Sequence, residues 1–240
     1  MTDADANDRA EVRERLVDAG YILESEGQGD YCMGHVSLRT QDDPGSILMK
    51  ASAMGLEEMT PANLITIDIE GEKTAGEHKR HNEVFIHSEI MRARPDIMSV
   101  VHTHAPYSVI FSSLGIPIKP VGHNGSIFFE ELPVFSDTTD LIVTQALGKA
   151  VTRCLGENKV LLLRNHGIVT AGRTIEEAIY LAVFLENACW MQVVAESAGG
   201  AKLVTPPDEA RQKNASPARK IRSISSITWC DGSGETVEHF

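Results

Sequence analysis

The segment Val100-Val101-His102-Thr103-His104 is an apolar run that ends in two histidines separated by one residue. A continuous apolar run is typical of a strand that is covered on both faces of a sheet. Residues i and i+2 of an extended strand lie on the same face, so His102 and His104 point in one direction. Two such imidazoles can bind one metal ion. The alternative is that both are hydrogen-bonded, half-buried residues at a strand end.

A second segment has the same organisation. Leu161-Leu162-Leu163 is an apolar run, and Arg164-Asn165-His166-Gly167 follows it with a histidine and then a glycine that lets the backbone turn sharply. Three neutral imidazoles with one open coordination position form the ligand set of a catalytic metal site rather than a closed structural one. The sequence therefore predicts a divalent metal bound by His102, His104 and His166.

The periodicity of apolar residues predicts strands interleaved with helices along most of the chain. Thr174 with Glu177 three residues later is a capping box and predicts the start of a long helix. Interleaved elements on this scale predict an α/β fold with helices on both faces of a central sheet. The predicted helices cover residues 10–26, 83–94, 105–114, 140–155 and 175–197, and the strands cover 36–40, 47–51, 64–69, 97–102 and 159–163.

The bulk composition favours one catalytic domain. The 240 residues are enough for one sizeable core, and no composition shift or repeat marks a boundary before residue 200. We therefore predict a single domain over residues 1–204. In residues 205–240 the clustered prolines and a late Gly-Ser-Gly argue against tight packing, whereas several isoleucines and Trp229 are too apolar for a tail that is fully solvated. We therefore predict an arm that docks on this or a neighbouring subunit. The alternative is disorder beyond Trp229.

Charge and cysteine usage narrow the class of protein. The formal net charge of −12 argues against binding to nucleic acid or to an anionic membrane surface. We see no run that approaches the roughly 20 apolar residues of a membrane span, and residues 1–14 lack the apolar core of a secretory signal. The four cysteines show no paired spacing. These features predict a cytoplasmic protein.

Several motifs together resemble the class II aldolase/adducin family over residues 9–199. The motifs are Gly34-His35-Val36-Ser37, Glu83, Arg94-Pro95-Asp96 leading into the histidine pair, and Asn165-His166-Gly167-Ile168. Glu83 precedes His102 by 19 residues, as in the family pattern. The resemblance implies a central mixed sheet in a layered α/β/α domain, a homotetramer, and a divalent metal that acts as a Lewis acid, with zinc or manganese favoured over cobalt or iron.

The same resemblance implies roles for further residues. Glu83 matches the glutamate that carries protons in the family's aldolases, although its position also suits an ordinary glutamate near a helix N-terminus. His123 follows a glycine in a part of the chain where related enzymes place a proton donor that comes from a neighbouring subunit; a loop histidine is the alternative. The family includes aldolases, epimerases, decarboxylases and non-enzymatic adducins.

This chain departs from the family's phosphosugar members at each position that matches their phosphate site. His35 replaces an asparagine, Met54 replaces a threonine before Gly55, and His81 and Asn82 replace two serines. A thioether cannot donate a hydrogen bond to a phosphate oxygen, so Met54 argues against a phosphorylated substrate.

A carboxylate substrate fits the replacements better. His35 and His81, with Arg39 or Arg80, provide groups that can pair with a carboxylate, and Gly55 and Asn82 complete the predicted substrate-binding set. Either arginine can instead face solvent. We therefore predict a decarboxylase of a hydroxylated aromatic or heteroaromatic acid, with a sugar aldolase or epimerase as the alternative and a scaffold third.

Overall fold

The computed structural model describes residues 3–40, 43–215, 229–230 and 236–237. The helices within these residues are α1 (Asp3–Ser25), α2 (Val84–Ala93), α3 (Pro106–Ser113), α4 (Gly122–Ile127), α5 (Gln145–Leu155), α6 (Ile175–Ser197) and α7 (Pro207–Ala215). The strands are β1 (His35–Arg39), β2 (Ser46–Met49), β3 (Ile65–Asp68), β4 (Lys73–Ala75), β5 (Ser99–Thr103), β6 (Val134–Phe135), β7 (Val160–Leu163), β8 (Gly167–Gly172), β9 (Trp229–Cys230) and β10 (Thr236–Val237).

The first eight strands form one sheet in the order β4-β3-β2-β1-β5-β8-β7-β6. Every neighbouring pair in it is antiparallel except β6 and β7, which are parallel. The predicted mixed sheet is therefore confirmed. The strands predicted over residues 36–40 and 47–51 correspond to β1 and β2, an antiparallel pair in which Leu38 lies opposite Leu48. A separate two-stranded sheet joins β9 and β10.

Alternation along the central strands divides their apolar residues between two cores. Val100 and Leu161 belong to the core that includes α2 and α5, whereas Val101 and Leu162 belong to the core that includes α1 and α6. Because each face is covered by helices, both sets are buried, which explains the continuous apolar runs. The layered α/β/α arrangement predicted from the sequence is confirmed.

Several boundaries and elements differ from the prediction. Helix α1 begins at Asp3, seven residues before the predicted start, and α5 begins at Gln145 rather than 140 because the Thr144 hydroxyl accepts a hydrogen bond from the Leu147 N–H and caps it. Five strands (β4, β6, β8, β9 and β10) and two helices (α4 and α7) were not predicted. The bounds predicted for α6 agree with the structure, and the Thr174 hydroxyl accepts from the Glu177 N–H as a cap.

Helix α6 corrects the statement that no segment approaches a membrane span. Over 23 residues its length and hydropathy suit a membrane-crossing helix. Half of its apolar window is buried inside the protein, and its Leu181 and Leu185 belong to one of the two cores. The core helix of a globular domain has the same composition, so this feature is weak evidence for a membrane.

The start of the C-terminal arm packs on the rest of the chain. Ala210 of α7 is fully buried, and the guanidinium of Arg211 donates to both oxygens of Glu130 at 2.9 and 3.0 Å. The Asn214 amide donates to the Phe129 carbonyl at 3.1 Å. This docks α7 beside α4, on this subunit. Residues 216–228, which contain all three isoleucines of the arm, lie outside the described residues.

Candidate metal centre

His102 and His104 lie together at the end of β5. His102 is fully buried and shares a strand face with Val100, toward the core that includes α2. His104 follows the last strand residue and is half-buried. Their ring centroids are 5.1 Å apart. The spacing of one residue thus brings the two imidazoles close together.

His166 reaches the same place through a tight turn between β7 and β8. Asn165 has a left-handed backbone with φ 55°, which asparagine tolerates better than most residues. A Cβ on Gly167 would lie 2.4 Å from the carbonyl oxygen of Thr103, so glycine allows the close approach of β8 to the end of β5. The ring centroid of His166 consequently lies 5.0 Å from that of His102 and 5.2 Å from that of His104.

Glu83 immediately precedes α2, and its side chain does not cap that helix. Its Oε1 accepts a hydrogen bond from the Ile142 N–H at 2.8 Å and lies 3.5 Å from His166 Nε2. Its Oε2 lies 3.6 Å from His102 Nε2 and 4.0 Å from His35 Nε2. The carboxylate is therefore held among the histidine rings, as an acid–base residue requires.

The donor set fits a divalent cation. His102 Nδ1–H donates to the Ile168 carbonyl at 2.8 Å and His104 Nδ1–H to Asp30 Oδ2 at 2.9 Å, which leaves a lone pair on each Nε2. The Nε2 atoms of all three predicted ligands are buried without a hydrogen-bond partner among the described residues, a costly state unless something binds them. With a Glu83 oxygen, these ligand atoms lie within 4.8 Å of one another.

The protonation states suit the same purpose. Burial lowers the pKa of His102 to about 3, so the ring is neutral and able to act as a ligand. Burial alone would raise the pKa of Glu83, but the facing rings of His166 and His35 outweigh that effect and hold its pKa well below the usual range. An ionised carboxylate therefore stands beside the neutral imidazole of His102.

A second group of buried histidines lies behind the first. The ring centroid of His35 is 4.9 Å from that of His102, 4.4 Å from His81 and 4.8 Å from His87. Burial holds the pKa of both His35 and His87 well below the usual range and, with the charge of Lys50, lowers that of His81 to about 4. Of the predicted substrate-binding residues, His35 thus lies next to the predicted metal ligand His102, and His81 lies beside His35.

Lys50 is a residue that the sequence reasoning missed. It follows β2 and is fully buried, and its Nζ lies 3.3 Å from His81 Nε2. Nζ donates to the carbonyls of Cys32 and Ala51 at 3.2 and 3.4 Å, and no carboxylate of the described residues forms an ion pair with it. Burial lowers its pKa to about 8. The available signal was a lysine between Met49 and Ala51, where an apolar strand continues.

Asp30 was also missed. It orients His104, but its loop position before β1 gives no periodic signal that would single it out.

Three further residues named in the sequence analysis lie in different environments. Gly55 is buried, and its N–H donates to Glu58 Oε2 at 2.7 Å. Asn82 is exposed, and Met54 is half-buried beside the core that includes α2.

Three predicted residues are not brought to the cluster. Arg39 lies at the opposite end of β1 from His35, and its guanidinium donates to the carbonyls of Ile97, Pro44 and Met91. Its assignment to substrate binding is therefore corrected to a structural role. The Arg80 guanidinium lies over the Phe85 ring at 5.7 Å and donates to the backbone carbonyl of His81 at 3.2 Å, and these two contacts hold it in place. His123 is exposed on α4, and among the described residues it makes no contact with the cluster of its own chain; its role as a proton donor to a neighbouring subunit stays a prediction.

Comparisons with known proteins agree with this geometry. The family model described as "Class II Aldolase and Adducin N-terminal domain" matches residues 14–193. The chain is 37% identical over 155 residues to a protein of Streptomyces roseochromogenus subsp. oscitans named 4-hydroxy-3-prenylphenylpyruvate oxygenase/4-hydroxy-3-prenylbenzoate synthase; the match covers 64% of this chain and only 56% of that protein. It is 29% identical over 205 residues to 3,4-dihydroxyphthalate decarboxylase of Arthrobacter keyseri, covering 80% of this chain and 82% of the relative.

The solved structures give the same result. L-fuculose 1-phosphate aldolase from Glaciozyma antarctica PI12 superimposes with a TM-score of 0.78 at 27% identity, covering 86% of this chain and 81% of that one. The region matched by the family model, residues 14–193, contains Glu83 and all three histidines of the cluster. With its mixed sheet and its Glu–His₃ cluster, the chain belongs to the class II aldolase and adducin family.

Proposed function

We propose that this protein is a divalent-metal-dependent decarboxylase of a non-phosphorylated, hydroxylated aromatic or heteroaromatic carboxylate. The observation that carries the proposal is the buried cationic and imidazole surface formed by Lys50, His81 and His35 next to the metal-ligand nitrogens. A buried ammonium without a carboxylate partner favours an anionic ligand, which would compensate its charge. The relatives named for reactions of aromatic acids support the same substrate class.

The metal would be held by His102, His104 and His166. When bound, a divalent cation supplies Lewis-acid stabilisation for the negative charge that develops on a substrate oxygen. Imidazole ligands suit zinc and also manganese, cobalt or iron, and we favour zinc or manganese. Three histidines with buried, unpartnered nitrogens argue against a non-enzymatic scaffold, which has no use for them.

The remaining roles belong to the protein's own groups. Glu83, held ionised by its surroundings, takes the proton of a substrate hydroxyl and delivers it to the ring carbon that bears the carboxylate. The carbon–carboxylate bond then breaks and carbon dioxide leaves. The electron pair of that bond returns to the ring and leaves the negative charge on the substrate oxygen, which is reprotonated from solvent, so the reaction consumes one proton. Lys50 and His81 orient the carboxylate end, and burial excludes water.

Aldol cleavage of a sugar derivative is the second candidate. It requires the same Glu83 and metal ligands, and the likeness to the fuculose-phosphate aldolase favours it. The exposed Asn82, the occupied Gly55 N–H and the Met54 thioether offer a phosphate few free donors, which is why we rank it second. We also expect the protein to be a cytoplasmic homotetramer.

Turnover of a substrate panel tests the proposal. Metal-loaded protein would be incubated with dihydroxybenzoates and hydroxypyridine carboxylates, and separately with fuculose, rhamnulose and ribulose phosphates. Carbon dioxide and aldehyde release would be measured with and without oxygen, because one relative is named an oxygenase. We expect carbon dioxide without oxygen, with losses of at least 100-fold in Glu83→Gln and Lys50→Met. The exposed Lys149→Met is the matched control. Aldehyde release from a phosphosugar would contradict the proposal.

A further inference from the structure

Three buried side chains behind the metal centre form one continuous hydrogen-bonded chain. Ser37 Oγ lies 2.6 Å from His87 Nδ1, and His87 Nε2 lies 2.6 Å from His35 Nδ1. All three residues have no exposed surface. The chain ends at His35 Nε2, which is buried, has no hydrogen-bond partner among the described residues, and faces Glu83 Oε2 at 4.0 Å.

The surroundings fix the direction of this chain. A hydrogen bond between two neutral rings needs an N–H on one and a lone pair on the other, so only two arrangements are possible. If His35 carried its proton on Nδ1, the lone pair of its Nε2 would face the Glu83 carboxylate, and two acceptors would oppose each other. With the proton on Nε2, an N–H faces the carboxylate, which is the attractive arrangement. His102 cannot adopt it, because its Nδ1–H is used by the Ile168 carbonyl; its lone pair therefore faces the same carboxylate, an arrangement that a bound cation would compensate.

That choice determines the other two groups. His35 Nδ1 must then accept from His87 Nε2–H, and the remaining lone pair on His87 Nδ1 must accept from the Ser37 hydroxyl. Every hydrogen bond in the chain therefore runs from Ser37 toward the metal centre. In this arrangement each contact in the chain joins one donor to one acceptor. A buried hydrogen-bond network is favourable only when all its contacts are matched in this way.

His35 is consequently the opposite tautomer to the neighbouring metal ligands. His102 and His104 donate through Nδ1 and present a lone pair on Nε2, as a metal requires. His35 accepts through Nδ1 and presents an N–H on Nε2. Although its ring lies 4.9 Å from that of His102, it is therefore built as a donor and not as a further ligand.

We propose that His35 donates its Nε2–H to an anionic oxygen of the substrate, and that Ser37 and His87 are positioning residues that hold His35 in this tautomer. The inference rests on the proposed function for the identity of the acceptor, a carboxylate or phenolate oxygen. A donor already oriented in a buried site stabilises such an oxygen without reorganisation during the reaction. Because the chain ends at an N–H that finds no hydrogen-bond partner in the described part of the protein, stabilising the fold does not account for it.

Ring nitrogen NMR tests the tautomer directly. Protein labelled with ¹⁵N in histidine would be recorded with zinc bound and without it, with the His35 signals assigned from a His35→Gln variant. We expect a protonated Nε2 and an unprotonated Nδ1 for His35, and a mixture of tautomers in Ser37→Ala. Ser99→Ala is the matched control, because Ser99 is another fully buried serine whose hydroxyl donates to the Ser37 carbonyl outside this chain of groups.

Kinetics and binding provide the second readout. Ser37→Ala and His87→Leu should keep zinc stoichiometry and lower kcat/KM about 10- to 100-fold, while His87→Gln, which retains an N–H donor, should recover most of the activity. A protonated Nδ1 on wild-type His35, or equal effects of Ser37→Ala and Ser99→Ala, would overturn the inference. If no carboxylate of the panel is decarboxylated, the proposed function fails. The NMR result would still decide the tautomer of His35. A titration with salicylate would still decide whether His35→Gln weakens the binding of a carboxylate.

Discussion

Replacement of Lys50 by methionine should change the stability of the protein in opposite directions at neutral and at alkaline pH. Methionine retains most of the length of the side chain and removes its charge and its donors. In the folded protein burial lowers the pKa of Lys50 from 10.5 to about 8. Its folded pKa is below its unfolded value, so the charged lysine opposes folding at neutral pH, and this cost disappears as the pH rises from about 8 through 10.5.

The magnitude follows from the shift and from two hydrogen bonds. A shift from 10.5 to about 8 corresponds to roughly 3 kcal/mol of destabilisation at pH 7, at about 1.36 kcal/mol per pKa unit. Methionine leaves the carbonyls of Cys32 and Ala51 without this donor, which costs about 1 kcal/mol each. Lys50→Met should therefore be roughly 1 kcal/mol more stable than the wild type at pH 7. At pH 9.5 less than half of the charge cost remains, and the variant should be the less stable protein.

Urea unfolding of metal-free protein at pH 7 and pH 9.5 would measure both differences. Lys149→Met, at an exposed position, controls for the loss of a positive charge and should show no change of sign. The comparison of variant with wild type at each pH cancels the titration of the other groups. A Lys50→Met variant that is destabilised equally at both pH values would refute the reasoning, because it would show that burying the charged lysine does not lower the stability of the folded protein.

Metal binding should stabilise the protein: a free zinc concentration 100 times the Kd adds about 2.7 kcal/mol to the free energy of unfolding, which is roughly 5–11 °C in Tm. His102→Ala should largely abolish this thermal shift, and an undiminished shift would mean that zinc binds elsewhere. Arg39→Met should lose roughly 3 kcal/mol of stability in urea, because three backbone carbonyls lose a charged donor, and should keep its zinc affinity. If Arg39→Met instead weakened zinc binding and left the stability unchanged, Arg39 would belong to the functional site and its structural role would be wrong.

The sequence was sufficient for the fold class and for the central group of the site because both depend on local patterns. Apolar runs predicted β5 and β7, and the histidines at their ends predicted the cluster. The strand β8 was missed because Gly167, its first residue, was interpreted as part of a turn. In the structure this glycine is needed because a Cβ there would clash with the carbonyl oxygen of Thr103. The helix α4 is six residues long with two glycines, too short and too rich in glycine to show a helical period.

The surroundings of the site could not be predicted because they depend on contacts between distant segments. Lys50 and His81 come together across 31 residues, and His35 and His87 across 52. Arg39 failed as a substrate ligand for a related reason. Its position four residues after His35 on a five-residue strand puts the two at opposite ends, about 13 Å apart at roughly 3.3 Å per residue.

The location of these polar groups relative to the two cores argues that they serve chemistry rather than folding. His35, His87, His102 and Lys50 are all fully buried at or beside the middle strands of the sheet, where apolar side chains of similar volume would cost nothing in desolvation. Two extensive apolar cores on either side of the sheet offset the cost. In the part of the chain that the structure describes, the histidine chain ends in an N–H without a hydrogen-bond partner and Lys50 has no counter-ion. Both leave an interaction to be completed, and the anion beside a metal that we propose would complete both. If stability alone had shaped this region, Lys50→Met would be neutral for turnover; a variant that is more stable at pH 7 and inactive toward every carboxylate is the outcome that this argument requires.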